Sequence, residues 1–263
     1  MIGRELATEA TGWRRWLYRA VGTLDPDEWV WYWHYHRFYL PHLRELGTAR
    51  VLDAGCGKGL WSLYLARRFP SLNIVGVDVR EDAIAFCRKV QAGESVDNAE
   101  FRTLAFEDMS YRNEFDALLS FNSLHYSYQT DVEVLTRFAE ALRPGGLLML
   151  TVPVAWPLRG RRADLTDLDS ASTNVYGATV DLREFRDHYY PEELAEKLSA
   201  SGFDVVKTRR VVGTFGQAAK GLYSSAARVK GAAWPLAFML GLMDGLYAGR
   251  NGWFILTVAR ARD

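Results

Sequence analysis

The feature that most constrains this chain is a regular alternation of short apolar runs and helical segments between residues 49 and 154. Runs rich in Val, Ile and Leu, such as ARVLDAG, NIVGVDV and EFDALLSFN, alternate with helical patterns such as EDAIAFCRKVQA and DVEVLTRFAEALRPGG. This alternation predicts βαβ units and a mainly parallel sheet. A further helix, PEELAEKLSASGF, and two more strands, DVVKTRRVV and GWFILTVARA, follow within residues 191–261.

Composition limits the classes of protein to consider. The chain has 263 residues, 49% of them hydrophobic, and equal numbers of basic and acidic residues. It can therefore bury a sizeable core, and it lacks the basic excess of a general nucleic-acid binder. Two cysteines are too few for a disulfide scaffold, and the N-terminus lacks the pattern of a signal peptide. We expect a cytoplasmic protein, with at most peripheral contact with a membrane.

A glycine-rich loop, DAGCGKG, joins the first strand of this pattern to its first helix. In that position the backbone N–H groups at a helix N-terminus face a ligand. A P-loop would require Gly-Lys-Ser/Thr, but Lys58 lies between two glycines, and a dinucleotide loop would require a small residue where Leu60 stands. These departures disfavour both phosphate ligands. They leave a third class, a nucleoside with an amino-acid tail and no phosphate.

Several motifs together resemble the class I S-adenosylmethionine (SAM) methyltransferases. VLDAGCGKG and VGVD are similar to the first two motifs of that family, FDALLSFNSLHY to the fourth, RPGGLLMLTVP to the segment that follows it, and YYPEELAEKLSASGF to a late helix. The resemblance covers roughly residues 30–212 and the last strand. It implies a Rossmann-like, doubly wound α/β fold with a seven-stranded sheet, its last strand antiparallel. The cofactor would be SAM, leaving S-adenosylhomocysteine as product.

The chain order suggests four regions around this core. We expect an N-terminal helical cap at 1–46, a SAM-binding core at 47–212, a helical insertion or lid at 213–250 and the final core strand at 251–263. The family usually joins its last two strands by a short hairpin, so the insertion is the main departure from its pattern.

Acidic residues end the first two strands, where they would meet the cofactor. Asp53 is placed to reach the ligand's ammonium group, and Asp78 to accept both ribose hydroxyls, although an acid at that position also suits a helix N-cap. Val79 would flank the adenine, Ala105 and Phe106 would contact its edge, and Asn122 would lie near the sulfonium. The predicted cofactor site comprises Asp53, Gly55, Cys56, Gly57, Gly59, Asp78, Val79, Ala105, Phe106 and Asn122.

Methyl transfer from a sulfonium needs mainly alignment and exclusion of water, but a hydroxyl acceptor must also lose its proton. His125, just past the fourth strand, and His188, before the late helix, are the candidate bases. Tyr126, Tyr189 and Tyr190 are candidates for contact with the acceptor. His34 and the aromatic residues around it (the segment EWVWYWHYHRFYL) suggest a packed helix, with one or two rings reaching the pocket. No metal-ligand spacing is visible, so we expect no metal.

The insertion has an unusual charge pattern. Between Asp204 and Asp244 there is no acidic residue, whereas six basic residues alternate with aromatic and aliphatic ones. Residues 207–240 would suit contact with anionic lipid, or else a lid or a homodimer contact.

These features predict a SAM-dependent methyltransferase of a small-molecule acceptor, with a hydroxyl of a glycan, lipid-linked or natural-product substrate preferred and histidine-assisted deprotonation. N- or C-methylation is an alternative, as is a non-catalytic SAM-binding scaffold. A nicotinamide oxidoreductase is a rival on the same architecture. Nucleic acid is disfavoured as a substrate, because FNSLHY stands where base methylases have an Asn-Pro-Pro-Tyr-like tetrad.

Overall fold

The computed structural model describes residues 26–127, 129–154, 172–175, 178–181, 189–219, 234–247 and 252–262. The strands in these ranges are β1 (Ala49–Ala54), β2 (Leu72–Asp78), β3 (Ala99–Thr103), β4 (Phe115–Phe121), β5 (Leu142–Pro153), β6 (Ser172–Val175), β7 (Ala178–Asp181), β8 (Phe203–Val211) and β9 (Phe254–Ala261). The helices are α1 (Pro26–Phe38), α2 (Leu40–Glu45), α3 (Leu60–Arg68), α4 (Glu81–Glu94), α5 (Asp131–Ala141), α6 (Pro191–Ala200), α7 (214–219) and α8 (Trp234–Tyr247).

Seven strands form one sheet in the order β3-β2-β1-β4-β5-β9-β8. The first five strands pair in parallel, whereas β9 runs antiparallel to both β5 and β8. The predicted fold class is therefore confirmed, including the antiparallel last strand. The chain moves outward from β1 through β2 to β3 and then returns to β4 on the other side. The carboxyl ends of β1 and β4 thus meet at the point where strand order reverses, which is where open α/β sheets bind ligands.

Each face of the sheet carries its own apolar cluster, because successive side chains of a strand point to opposite faces. Val51 of β1 belongs to the cluster covered by α1, α3 and α4, and Leu52 to the cluster covered by α5 and α6. Both side chains are fully buried. The sheet is thus covered on both sides, as continuous apolar runs indicate for parallel strands.

The helix α5 is shorter than its sequence pattern suggests. It begins with a capping box in which Thr130 and Glu133 satisfy each other's backbone N–H groups. It ends at Ala141, and β5 starts at Leu142. The predicted helix ended at the Pro-Gly-Gly of residues 144–146, whereas the observed helix ends three residues before Pro144, because a proline disfavours helical conformation at the preceding residue; Gly145 adopts a left-handed φ of +76°. The strand therefore begins before the proline and accommodates it with a register shift against β4.

The helices α1 and α8 pack against each other, although more than two hundred positions separate them. Their contact includes a buried polar pair, His34 Nε2 and Asp244 Oδ2, 2.8 Å apart. The other oxygen, Asp244 Oδ1, accepts the backbone N–H of Gly216 at 2.8 Å. The N-terminal segment and the described part of the insertion thus form one pair of helices, which we call the α1–α8 cap.

Two further elements complete the described fold. The strands β6 and β7 form a separate antiparallel pair. The predicted N-terminal helical region is helical from Pro26 onward, and residues 1–25 lie outside the described ranges. None of the described helices is long and apolar enough to cross a lipid bilayer.

Candidate functional site

The glycine loop between β1 and α3 is held by main-chain hydrogen bonds. Gly55 and Cys56 both donate their N–H groups to the carbonyl of Val77 on β2, at 2.8 and 2.9 Å. Gly55 has a φ of +79°, and a Cβ there would lie 2.3 Å from Cβ of Ser123. Only glycine satisfies both the left-handed conformation and this close approach. The conformation of the loop is therefore held by contacts within the protein.

Asp53 lies at the end of β1 and is 3% exposed, yet it lines a cavity at the carboxyl edge of the sheet. The hydroxyl of Ser62 on α3 donates to its Oδ2 at 2.5 Å. Burial is the main reason that the pKa of Asp53 rises from 3.8 to about 6, with the nearby charge of Asp78 adding to the rise and the Ser62 hydrogen bond opposing it. A cation placed beside Asp53 would restore its charged form, so this position suits an ammonium group.

Asp78 organises both the loop and the start of α4. Its Oδ2 accepts the N–H of Gly57 at 2.8 Å, and its Oδ1 accepts the N–H of Arg80 at 3.0 Å. These bonds use one lone pair of each oxygen, and a carboxylate has about four acceptor positions in all. Asp78 therefore keeps acceptor capacity for hydroxyl groups while it fixes the loop.

The cavity beside this loop has a volume of about 240 Å³ and an aromatic wall. Its lining comprises Trp31, Tyr35, Asp53, Gly55, Cys56, Gly57, Leu60, Trp61, Phe121 and Asn122. The ring of Tyr35 contacts other aromatic rings of this wall, with its centroid 4.9 Å from that of Trp61 and 4.4 Å from that of Phe121. Trp31 adds a further contact at 5.5 Å. Two rings of the N-terminal aromatic segment, Trp31 and Tyr35, thus reach the pocket, while Phe38 and Tyr39 of the same segment are buried in the core.

Asn122 follows β4 and has a left-handed φ of +54°. Its backbone N–H donates to Thr151 on β5 at 2.9 Å, which holds the residue in place. Its side-chain Oδ1 is buried and has no hydrogen-bond partner within the described part of the chain. Because a buried acceptor without a donor costs free energy, this atom marks a place where a ligand would donate a hydrogen bond.

The other predicted cofactor residues lie around the same edge but have different surroundings. Val79 is 51% exposed beside Asp78. Ala105 precedes a short 3-10 turn, and the ring of Phe106 packs edge-on against Phe138, with centroids 5.4 Å apart. Gly59 has a φ of +69°, and a Cβ there would lie 2.8 Å from the sulfur of Cys87. Gly59 is needed for the fold of the loop, and Phe106 contributes to the core beneath it.

The predicted catalytic and acceptor residues are not gathered at this cavity. His125 lies in the short turn after Asn122, its ring against that of Tyr126, and neither residue is in the cavity lining. Tyr190 is 42% exposed at the start of α6. Tyr189 is fully buried, and its hydroxyl donates to Asp131 at 2.8 Å, so its described contacts are those of a core residue. His188 lies outside the described residues.

Sequence reasoning did not identify four residues that matter for this site. Leu60, Trp61 and Phe121 line the cavity, and Ser62 holds Asp53. A signal for Trp61 and Ser62 was present, since the first turn of a helix after a glycine loop always lies beside the ligand. Phe121 had no such signal because its contact with α1 depends on tertiary packing.

The fold and the site together define a nucleoside-cofactor domain at the switch point of an α/β sheet. Residues 51–146 match the sequence model of a family described as a methyltransferase domain. Over these residues the chain is similar to the SAM-dependent methyltransferases, whose cofactor is SAM. The predicted resemblance to that family and to its use of SAM is confirmed over this part of the chain.

Individual relatives agree with this assignment. A fatty-acid O-methyltransferase of Mycolicibacterium smegmatis is 39% identical over 104 residues, which are 39% of this chain and 36% of the relative. A ubiquinone biosynthesis O-methyltransferase of Sinorhizobium fredii is 31% identical over 157 residues, which are 59% of this chain and 60% of the relative. The chain thus spans less than two thirds of the length of either relative.

The fold has a counterpart among solved structures. A SAM-dependent methyltransferase from Methanosarcina mazei superposes with a TM-score of 0.59 at 18% identity, over 86% of this chain and 98% of that one. At this level of identity the similarity concerns the fold.

The site fits SAM on its own evidence. Asp53 would hold the ammonium group, Asp78 retains acceptor capacity for the ribose hydroxyls, and Asn122 Oδ1 requires a donor. When bound, SAM supplies an activated methyl group. The residues of this site would bind and orient it, and the aromatic wall would exclude water.

Proposed function

We propose that this protein transfers a methyl group from SAM to an oxygen atom of an apolar small molecule. One observation carries the proposal. Asp53 and the glycine loop form one side of the cavity. The rings of Trp31, Tyr35 and Phe121 form the other side. An acceptor that reaches the cofactor across this wall contacts aromatic carbon, which favours an apolar or aromatic molecule.

The choice of oxygen is supported by two relatives whose names describe O-methylation, of a fatty acid and in ubiquinone biosynthesis. Both acceptor types combine an apolar body with an oxygen. The described lining includes no histidine and no lysine. A carboxylate acceptor is already ionised at neutral pH and needs no base, whereas a hydroxyl requires one. His125, three positions after Asn122, is our candidate for that base.

The first experiment uses SAM labelled in its methyl group. Purified protein and label are incubated with extract from the source cells, and the mixture is partitioned between butanol and water. The control is Gly57→Arg. A Cβ added at Gly57 would have no heavy atom within 4 Å, so an arginine side chain could extend from there into the cofactor space. We expect label in the butanol phase with the wild type and none with the control. Label confined to water would contradict an apolar acceptor.

A second experiment separates a carboxylate acceptor from a hydroxyl one. A long-chain fatty acid and a phenol of similar size are offered separately to the wild type and to His125→Gln. If the acceptor is a carboxylate, His125→Gln retains the wild-type rate across neutral pH. If it is a hydroxyl, the rate falls about a hundredfold and the variant loses the rise with pH that a general base produces. Equal loss with both acceptors would show that His125 is structural.

The same assay tests the interpretation as a non-catalytic scaffold. Calorimetry of the wild type with SAM should show binding, and an NADH titration should give no heat. If SAM binds but label enters neither the cell extract nor the fatty acid nor the phenol, methyl transfer is refuted and the scaffold interpretation stands.

A further inference from the structure

The helix α8 exposes an apolar face to solvent. Leu236, Met239, Leu242 and Leu246 are 46, 55, 39 and 58% exposed. Their spacing of three or four positions places them on one side of the helix. We call these four residues the α8 apolar face.

The opposite side of α8 is buried and holds the polar group. Asp244 is the only charged residue in the α8 sequence WPLAFMLGLMDGLY, and it is 1% exposed. His34 and the N–H of Gly216 occupy its two oxygens. A surface helix normally buries its apolar side and exposes its charges. The helix α8 does the reverse, so hydrophobic packing against the residues that the structure describes does not explain its exposed side.

Positive charge lies on the face of the sheet that α1 covers. Lys207 and Arg209 lie on the same face of β8 as Val211, which belongs to the apolar cluster under α1. Lys207 is exposed, and its Nζ lies 5.2 Å from the ring centroid of Phe38 on α1. In the sequence, residues 205–243 contain no Asp or Glu. An exposed apolar helix face, together with an exposed lysine and a stretch of sequence whose charged residues are all basic, matches a bilayer surface with negatively charged headgroups and apolar acyl chains below them.

We propose that the α8 apolar face docks this protein on the surface of an anionic lipid bilayer. The four side chains enter the boundary between headgroups and acyl chains, and Lys207 contacts the headgroup phosphates. Since α8 packs on α1, and α1 contributes Trp31 and Tyr35 to the cavity, docking would hold the cavity close to the membrane surface. This proposal does not depend on the proposed function, because docking on a membrane requires no methyl transfer.

The test is flotation with vesicles of phosphatidylglycerol and phosphatidylcholine in equal parts. We expect the wild type to float with these vesicles, and binding to fall at least about fivefold when phosphatidylcholine alone is used. The double variant Met239→Glu/Leu246→Glu should lower binding at least about tenfold, since it removes two apolar side chains from the interface and adds two negative charges.

A matched pair of single variants controls for the added charge. Leu242 and Val132 are 39 and 37% exposed, but Val132 lies on α5, which covers the other face of the sheet. Leu242→Glu should weaken binding several-fold, and Val132→Glu should change it less than about twofold. All variants should bind SAM as the wild type does, which shows that they are folded and keeps this test separate from the methyl-transfer assay.

Three results would overturn the proposal. The wild type does not float with the anionic vesicles, or Val132→Glu weakens binding as much as Leu242→Glu. The third result concerns a homodimer. If sedimentation shows that the wild type is a dimer, and Met239→Glu/Leu246→Glu dissociates this dimer without changing vesicle binding, the α8 apolar face is a contact with a second copy of the chain.

Discussion

The two walls of the cavity are built in different ways. The cofactor wall comes from one short stretch, Asp53 to Trp61, and its shape is fixed by backbone hydrogen bonds to β2 and to Asp78. The opposite wall combines Trp31 and Tyr35 of α1 with Phe121 of β4, and α1 in turn is tied to α8 by a pair of residues 210 positions apart. The comparison teaches that the cofactor wall is a local structure, whereas the α1–α8 cap depends on distant packing.

The largest effect should follow from breaking the distant pair. Asp244→Ala leaves His34 and the N–H of Gly216 buried without their partner, and we expect the free energy of unfolding to fall by about 3–5 kcal/mol. Asp244→Asn keeps the size and one acceptor oxygen, so its loss should be about 1–2 kcal/mol. Urea denaturation measures both. If Asp244→Ala costs less than about 1 kcal/mol, the cap is not held by this pair.

A somewhat smaller loss of stability should follow when the side-chain methyl group of alanine is introduced into the cofactor wall. Gly55→Ala would place its Cβ 2.3 Å from Cβ of Ser123 at a left-handed φ, and we expect a loss of about 2–4 kcal/mol together with loss of SAM binding. The matched change is Gly57→Ala. The Cβ of this alanine would have no heavy atom within 4 Å. Gly57→Ala should therefore lower the free energy of unfolding only by the backbone strain of about 1–2 kcal/mol. Thermal unfolding and calorimetry should separate the two variants, and equal losses would contradict the role of Ser123.

The third prediction separates the walls by function. Tyr35→Leu removes a ring from the cap wall, so KM for the acceptor should rise about tenfold, while Kd for SAM changes less than about twofold. Phe38→Leu is the control, because Phe38 lies on the same helix, is equally buried at 3% and does not line the cavity. An equal effect of both variants on KM would indicate that α1 acts only through stability.

The fourth prediction, with an effect as large as the third, concerns pH. Burial raises the pKa of Asp53 to about 6, so the free protein loses the charged carboxylate as the pH falls through that value. The ammonium group of SAM stays positive, and its binding favours the charged form. Kd for SAM should therefore rise about tenfold from about pH 7.5 to about pH 5. Asp53→Asn should bind SAM weakly and without this dependence; a wild-type Kd independent of pH would show that Asp53 does not hold the ammonium group.

Much of the cofactor wall could be predicted because its signals are local. Asp53, Gly55 and Asp78 stand at the ends of strands recognisable from their apolar runs, and the structure places all three at one edge of the sheet. Phe106 and Tyr189 show the limit of such reasoning. Their positions after β3 and before α6 were correct, but the structure directs the ring of Phe106 onto Phe138 and the hydroxyl of Tyr189 onto Asp131. Position along the chain does not specify the direction of a side chain.

The α/β fold, the order of its elements along the chain and the glycine loop of the candidate cofactor site are predictable from the sequence alone. These depend on hydrophobic period and on glycine conformation, which act within a few residues. Tertiary structure decided the aromatic wall, the partnership of His34 with Asp244 and the outward direction of the α8 apolar face. Each of these depends on which surfaces meet after the sheet has formed, and contacts between distant segments leave no periodic trace in a single sequence.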